Sequence, residues 1–151
     1  MALKDTIQND MKAALLGGNR FEGDVLRNLK AAILNEEVAT GKRETGLSDA
    51  EIEKIIAREV KKRHESVKLY EANDRAELAD EEKKEIAVLS TYLPQQLRED
   101  EIRDIAKIVI ENMDNVGPSL MGQVIGGVKA KVGNTADGAT VARVVKELLH
   151  S

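Results

Sequence analysis

The stretch Glu85-Ile-Ala-Val-Leu-Ser-Thr-Tyr-Leu-Pro-Gln-Gln-Leu97 contains the end of a helix and the start of a compositionally different region. Ile86, Leu89 and Leu93 are spaced three and four residues apart, so they share one helical face. Pro94 has no backbone N–H and disfavours helical dihedral angles at the residue before it. The sequence therefore predicts a helix that ends at Leu93 and a second helical module beyond the proline.

The N-terminal module, residues 1–93, shows helical apolar periodicity throughout. Ser48 and Glu51 form a capping-box pattern, which predicts that a long helix begins just after the serine. Charged residues dominate between Glu77 and Glu85, as is typical of a solvated helical surface. The predicted interruptions lie at Gly17-Gly18, Ala39-Thr-Gly41, Asn73-Asp74 and Pro94.

The C-terminal module, residues 97–151, predicts three short helices. Pro118 suits the first turn of the second helix, and Asp137 suits the N-cap of the third. Gly122 and Gly126 lie four residues apart on one helical face, so we expect them to permit close helix–helix packing or binding. No strand-like alternation competes with these patterns anywhere in the chain. The predicted fold class is all-α, with long charged helices followed by a small three-helix domain.

Composition excludes several classes of protein. The 151 residues contain no Cys, which excludes disulfides, Cys nucleophiles and thiolate metal sites. No apolar run is long enough to cross a membrane, and the N-terminus lacks the apolar segment of a secretory signal, so a cytoplasmic protein is predicted. The 27 acidic residues outnumber the 23 basic ones. Nucleic-acid binding would therefore need a local basic patch, and the three aromatic residues argue against base-stacking platforms.

Catalytic and metal-binding patterns are absent from the sequence. His64 lies in a charged helical stretch and His150 lies next to the C-terminus, so neither has a partner in a local motif. Glu36 and Glu37 are adjacent, but adjacent helical residues diverge by about 100°, so the pair does not converge on a substrate. We expect no catalytic residue, no metal and no cofactor.

Two groups of basic residues are candidates for nucleic-acid contact. Acidic residues are interleaved with the first group, which favours a solvated helical face: Lys54, Arg58, Lys61 and Lys62. The second group flanks the loop before the Asp137 cap, where free N–H groups and the helix dipole suit phosphate, although the carboxylate of Asp137 opposes an anion there. This group contains Lys129, Lys131, Arg143 and Lys146.

Several short segments, taken together in their order and spacing, resemble the GatB/YqeY family. They are Leu26-Arg-Asn-Leu-Lys-Ala-Ala-Ile33, Asn35-Glu-Glu37, Arg58-Glu-Val-Lys-Lys-Arg63, Glu85-Ile-Ala-Val-Leu89, Tyr92-Leu-Pro94, Met121-Gly122 and Ala136-Asp-Gly138. The family includes free-standing YqeY-like proteins and the C-terminal region of the GatB subunit of the glutamyl/aspartyl-tRNA amidotransferase. The resemblance runs from about Leu3 to Leu149 and implies an all-α fold.

The resemblance also implies a function. The homologous tail of the amidotransferase contacts the outer body of the tRNA, so the implied partners are tRNA and a protein of the aminoacylation or amidation machinery. The residues that match its RNA-facing end are Lys129, Lys131, Asn134 and Arg143. Many relatives are more basic where this chain has Val132-Gly-Asn-Thr135, which predicts weaker and less salt-sensitive binding.

Two other functions compete with a non-catalytic tRNA-binding module. The acidic surplus and the charged helices favour a protein–protein adaptor without nucleic-acid binding. Carbon–nitrogen ligase activity with glutamine as amido donor is disfavoured, because no nucleophile–base set is visible in the sequence.

Overall fold

The computed structural model describes residues 2–114 and 117–150, without the side chain at position 118. These residues form seven α-helices and no strand, which confirms the all-α class. The chain divides into two compact units between Leu93 and Pro94. The helices are α1 (Leu3–Leu16), α2 (Arg20–Ala39), α3 (Asp49–Ala72), α4 (Ala76–Ser90), α5 (Glu99–Glu111), α6 (Met121–Val132) and α7 (Gly138–His150).

The N-terminal unit consists of α1 to α4 around one apolar core. Helix α3 pairs with α4 as a hairpin, and α1 packs on α2. The side chains that close this core come from all four helices and from the loop before α3. They are Ile7, Val25, Leu26, Leu29, Ile33, Leu47, Ile52, Ile55, Ile56 and Leu89.

The predicted ends of α1, α2 and α3 and the predicted start of α3 are confirmed, and each depends on local chemistry. The Ser48 hydroxyl accepts a hydrogen bond from the N–H of Glu51 at 3.2 Å, and the Glu51 carboxylate accepts one from the N–H of Ser48 at 3.1 Å. Gly41 follows α2 with a positive φ of 70°. Asn73 caps the C-terminus of α3, and Asp74 turns the chain with a φ of 56°.

Helix α4 ends slightly before the predicted position. Its last regular residue is Ser90, and the next three residues continue in a turn closed by i→i−3 bonds, the last from the N–H of Leu93 to the carbonyl of Ser90 at 3.2 Å. Pro94 disfavours α-helical angles at Leu93, so the last turn tightens instead of continuing as α-helix. The Tyr92 hydroxyl donates to Asp10 at 2.6 Å, which links this turn to α1.

The C-terminal unit packs α5, α6 and α7 around a second core, which is rich in valine. Pro118 opens a 3₁₀ turn, Pro118–Leu120, directly before α6 and is not in the first turn of α6 itself. Asp137 caps α7 as predicted, because its carboxylate accepts the N–H of Thr140 at 3.3 Å. The core residues are Ile102, Ala106, Val109, Val124, Val128, Val132, Val141, Val144 and Val145.

The helix-packing role expected for Gly122 and Gly126 is wrong. A Cβ atom on either residue would meet no atom of the described chain within 4 Å, and both residues are exposed. The glycine that faces another helix is Gly127, whose Cβ would lie 3.0 Å from the Val109 side chain on α5. The four-residue spacing therefore placed Gly122 and Gly126 on one face, but it was the outer face of α6.

Candidate nucleic-acid interface

Charge is distributed unevenly within the C-terminal unit. Residues 94–114, which include α5, contain three basic and six acidic residues. Residues 118–150, which include α6 and α7, contain four basic and two acidic residues. The chain is negative overall, but the segment that contains α6 and α7 has a net positive charge, which electrostatic attraction of a polyanion requires.

Lys129 lies against the start of α7. A Cβ atom on Gly138 would lie 3.5 Å from the ammonium nitrogen of Lys129, an ordinary contact distance, so the ammonium lies beside the first residue of α7. The first N–H groups of a helix have no intrahelical acceptor and carry the positive end of the helix dipole. Asp137 occupies part of this end through its cap to Thr140. The ammonium and the helix terminus together place positive charge beside one carboxylate.

Lys129 shares the outer face of α6 with two exposed glycines. Gly122, Gly126 and Lys129 are spaced four and three residues apart, so they lie along one side of the helix. Both glycines are exposed, and the space around them is open. A large anion could therefore approach the backbone of α6 closely on the side that carries the lysine.

Lys131 and Asn134, the next two predicted residues, do not lie beside the start of α7. Lys131 is exposed on α6, but two residues correspond to about 200° around a helix, so it points away from Lys129. Asn134 lies in the 3₁₀ turn Gly133–Thr135 after α6. Its carbonyl accepts the side-chain amide of Gln96 at 3.0 Å, which ties this turn to the segment before α5.

Arg143 belongs to an ion-pair network between α5 and α7. Its guanidinium lies 2.6 Å from the Glu99 carboxylate and 3.4 Å from that of Glu147. Arg103 contacts the same two carboxylates, at 3.6 Å and 2.7 Å. The bond from Arg143 lowers the pKa of Glu99, and the bond from Arg103 is the main cause of the lowered pKa of Glu147. Arg143 is therefore already shared between two carboxylates.

Lys146 completes the predicted set. It is exposed on α7, three residues beyond Arg143. The five predicted residues thus occupy one helix terminus, the far side of α6, a 3₁₀ turn and the outer surface of α7. Lys129 lies on α6 with its ammonium beside the start of α7, and it is the member whose surroundings best suit an anion.

The residues considered for catalysis do not form a common site. His64 is exposed on α3, and His150 is the exposed last residue of α7. The adjacent carboxylates diverge: Glu36 faces Arg58 at 3.6 Å, whereas Glu37 is buried and contacts Lys4 at 2.9 Å. Within residues 2–114 and 117–150, no three His, Asp or Glu side chains are grouped to hold a metal ion. In the same residues, no helix is long and apolar enough to cross a bilayer.

The profile of the family described as Yqey-like protein matches residues 4–149. The chain belongs to the YqeY-like family. The match includes both units of this YqeY-like chain and agrees with the motifs that first indicated the resemblance.

Two yeast proteins are relatives of this YqeY-like chain at low sequence identity. The protein named altered inheritance of mitochondria protein 41, mitochondrial, from Clavispora lusitaniae is 27% identical over 92 residues, which cover 61% of this chain and 52% of the relative. The protein of the same name from Candida glabrata is 27% identical over 88 residues, or 58% of this chain and 48% of the relative. The chain thus spans about half the length of the curated relatives that it matches.

The ion-pair partners of Arg143 were not predicted from the sequence. The spacings Glu99–Arg103 and Arg143–Glu147 are both i,i+4 and visible in the sequence, so each pair within a helix was predictable. The cross-helix contacts depend on how α5 packs against α7, which no local pattern reveals. The contact of Lys129 with the start of α7 was hidden for the same reason.

Proposed function

We propose that this chain is a non-catalytic helical module that binds tRNA through its C-terminal unit and serves tRNA-dependent amidotransferases or the translation machinery. The resemblance to the tRNA-contacting tail of the GatB subunit supports the choice of RNA. The Lys129 ammonium, which lies beside the start of α7, carries the proposal, because an ammonium beside a helix N-terminus suits a phosphate group.

The exposed glycines of α6 support the same surface. Glycine inside a helix costs about 1 kcal/mol relative to alanine, and neither Gly122 nor Gly126 recovers that cost by packing within the described chain. Bare backbone on the side of Lys129 allows a sugar–phosphate chain to lie close to the helix. The glycines therefore serve binding in this proposal.

Arg143 has a smaller role in this proposal than Lys129. Its guanidinium must leave the Glu99 and Glu147 carboxylates before it can neutralise a phosphate. Lys129, Lys131 and Lys146 form no ion pair with the described residues, so each can contribute a phosphate contact and release counterions.

In this function the chain itself makes and breaks no covalent bond. The two histidines are exposed and far apart in sequence, and the Glu36 and Glu37 carboxylates face different helices. The chain supplies shape and charge, while any amidation takes place on another protein. The curated relatives are named as mitochondrial proteins, and a cytoplasmic location for this chain stays a prediction.

A titration of labelled tRNA by fluorescence anisotropy at low and moderate salt tests this function. The double variant Lys129→Gln, Lys131→Gln should weaken binding about tenfold and reduce the salt slope by about 1 to 2. Arg143→Gln should weaken it less. The matched control is Lys61→Gln, Lys68→Gln, which removes two exposed lysines of α3 and should bind as the wild type does.

Two outcomes would contradict the function. One is the absence of saturable binding at either salt concentration. The other is equal weakening by the α6 and α3 double variants, which would mean that the RNA responds only to net charge. Partners that remain bound to the chain after nuclease treatment would favour the protein–protein adaptor instead.

A further inference from the structure

A depression at the turn between α1 and α2 is not used by the proposed RNA surface. It has a volume of about 370 Å³ and is lined by Leu15, Gly18, Arg20 and Arg27. All four residues belong to the N-terminal unit. A function of the depression would therefore be independent of the proposed tRNA binding by the C-terminal unit.

The floor of the depression is apolar because of one glycine. A Cβ atom on Gly23 would lie 2.4 Å from a methyl carbon of Leu15, so Leu15 rests directly on the backbone of α2. Gly18 adopts a φ of 82° in the turn, a conformation that side-chain-bearing residues rarely adopt. These two glycines let α1 turn back against α2 and leave the leucine at the base of an open groove.

Two guanidinium groups flank this floor. Arg20 and Arg27 are seven residues apart, which places them on the same side of α2 and about 10 Å apart along its axis. Arg27 contacts the exposed Asp24 carboxylate at 3.2 Å. Arg20 forms no ion pair in the described part of the chain. At least one guanidinium is therefore available to a ligand without breaking an internal pair.

The last turn of α1 exposes further apolar surface. Leu15 is 38% exposed and Leu16 is 90% exposed. Leu16 does not line the depression, because adjacent helical residues diverge by about 100°. Leu15 alone provides the apolar part of an amphipathic site whose polar part is the two arginines. The apolar part favours aliphatic side chains, and the guanidinium forks favour carboxylates.

Phosphate fits this site less well than carboxylate. Asp24 lies beside Arg27, and the Glu22 carboxylate accepts the side-chain amide of Asn19 at the start of α2. These two carboxylates oppose a densely charged polyanion more strongly than they oppose well-spaced single charges. A sugar–phosphate chain also has no aliphatic group to cover Leu15. We propose that the depression is a docking site for an acidic, leucine-containing segment of a partner protein.

Amide chemical-shift mapping by NMR on the full chain tests this site, because it detects weak binding. The probe is a peptide of alternating glutamate and leucine, compared with a glutamate–serine peptide, a lysine–leucine peptide and an oligouridylate. We expect the glutamate–leucine peptide to shift the amides of Leu15, Gly18 and Arg20 saturably. The other three ligands should bind there at least about tenfold more weakly.

Charge reversal identifies the residues responsible. Arg20→Glu, Arg27→Glu should weaken the glutamate–leucine peptide at least about tenfold, while far-ultraviolet circular dichroism confirms that the helices are retained. Lys61→Glu, Lys68→Glu changes the net charge equally on α3 and should leave the affinity unchanged. The proposal is overturned if the groove amides do not shift at millimolar peptide, or if both double variants weaken binding equally. It is also overturned if the glutamate–serine peptide or the oligouridylate binds there as tightly.

Discussion

Two neighbouring glycines of α6 have opposite surroundings. Gly126 is exposed with open space where a Cβ atom would lie, whereas a Cβ atom on Gly127 would lie 3.0 Å from the Val109 side chain. Alanine has the higher helix propensity because glycine loses more backbone entropy on folding. The same substitution therefore has different consequences at two adjacent positions.

Gly126→Ala should raise the free energy of unfolding by about 0.5–1 kcal/mol, since it gains propensity without a clash. Gly127→Ala should gain less or destabilise the unit, because Val109 must shift to accept the new methyl group. Urea unfolding followed by circular dichroism measures both changes. A larger gain for Gly127→Ala than for Gly126→Ala would contradict the assignment of the two faces.

The buried carboxylate of Glu37 allows a second test of an individual residue. Glu37 is 1% exposed, and its carboxylate contacts the Lys4 ammonium at 2.9 Å. Lys4→Gln removes the cation from a buried anion and should cost about 1–3 kcal/mol of stability. The matched control is Arg58→Gln, whose partner Glu36 is more exposed, and it should cost less than about 1 kcal/mol. Equal costs in urea unfolding would show that burial of Glu37 does not matter.

At the scale of the element, the start of α3 combines a cap with an ion pair. The Lys42 ammonium donates to the Glu51 carboxylate at 2.7 Å, and Ser48 donates its N–H to the same side chain. The bond from Lys42, followed by those from Ser48, lowers the pKa of Glu51 from 4.5 to about 2. The folded state therefore binds this proton more weakly than the unfolded state does.

This lowered pKa predicts a specific pH dependence. The contribution of Glu51 to stability is complete above the unfolded pKa of 4.5 and fades as pH falls towards about 2. Glu51→Gln should therefore lower the urea midpoint at neutral pH, and its difference from the wild type should shrink as pH falls through that window. Glu77→Gln, in the first turn of the uncapped helix α4, should change the midpoint less. A wild-type-to-variant difference that does not vary with pH would contradict this account of Glu51.

Helix ends were predictable because local chemistry determines them. The Ser48 and Glu51 capping box, the Asp137 cap and the break at Asn73 each involve residues within a few positions of one another. The cross-helix network around Arg143 was not predictable, since its Glu99 partner lies on another helix. For the same reason, helical spacing placed Gly122 and Gly126 on one face without showing which face was buried.

At the scale of the whole molecule, each unit has its own apolar core. The N-terminal core contains Ile52, which is fully buried, and the C-terminal core contains Val128 and Val141, which are also fully buried. A core that is complete within its own unit should stabilise that unit without help from the other. We therefore expect the units to lose structure separately.

Ile52→Ala should destabilise the N-terminal unit by about 2–5 kcal/mol, because it leaves a cavity in the first core. Amide hydrogen exchange measured by mass spectrometry should then accelerate in α1 to α4 and stay unchanged in α5 to α7. Val141→Ala should produce the reverse pattern. Loss of protection in both units with either variant would show that they fold as one cooperative body.

The function proposed for the whole chain depends on which unit binds RNA. Amide chemical-shift mapping of the wild-type protein with unlabelled tRNA at low salt is the most direct measurement. We predict saturable shifts at Gly122, Gly126, Lys129 and the first turn of α7, with the amides of α1 to α4 unperturbed. Shifts confined to the N-terminal unit, or no shifts at all, would contradict the account.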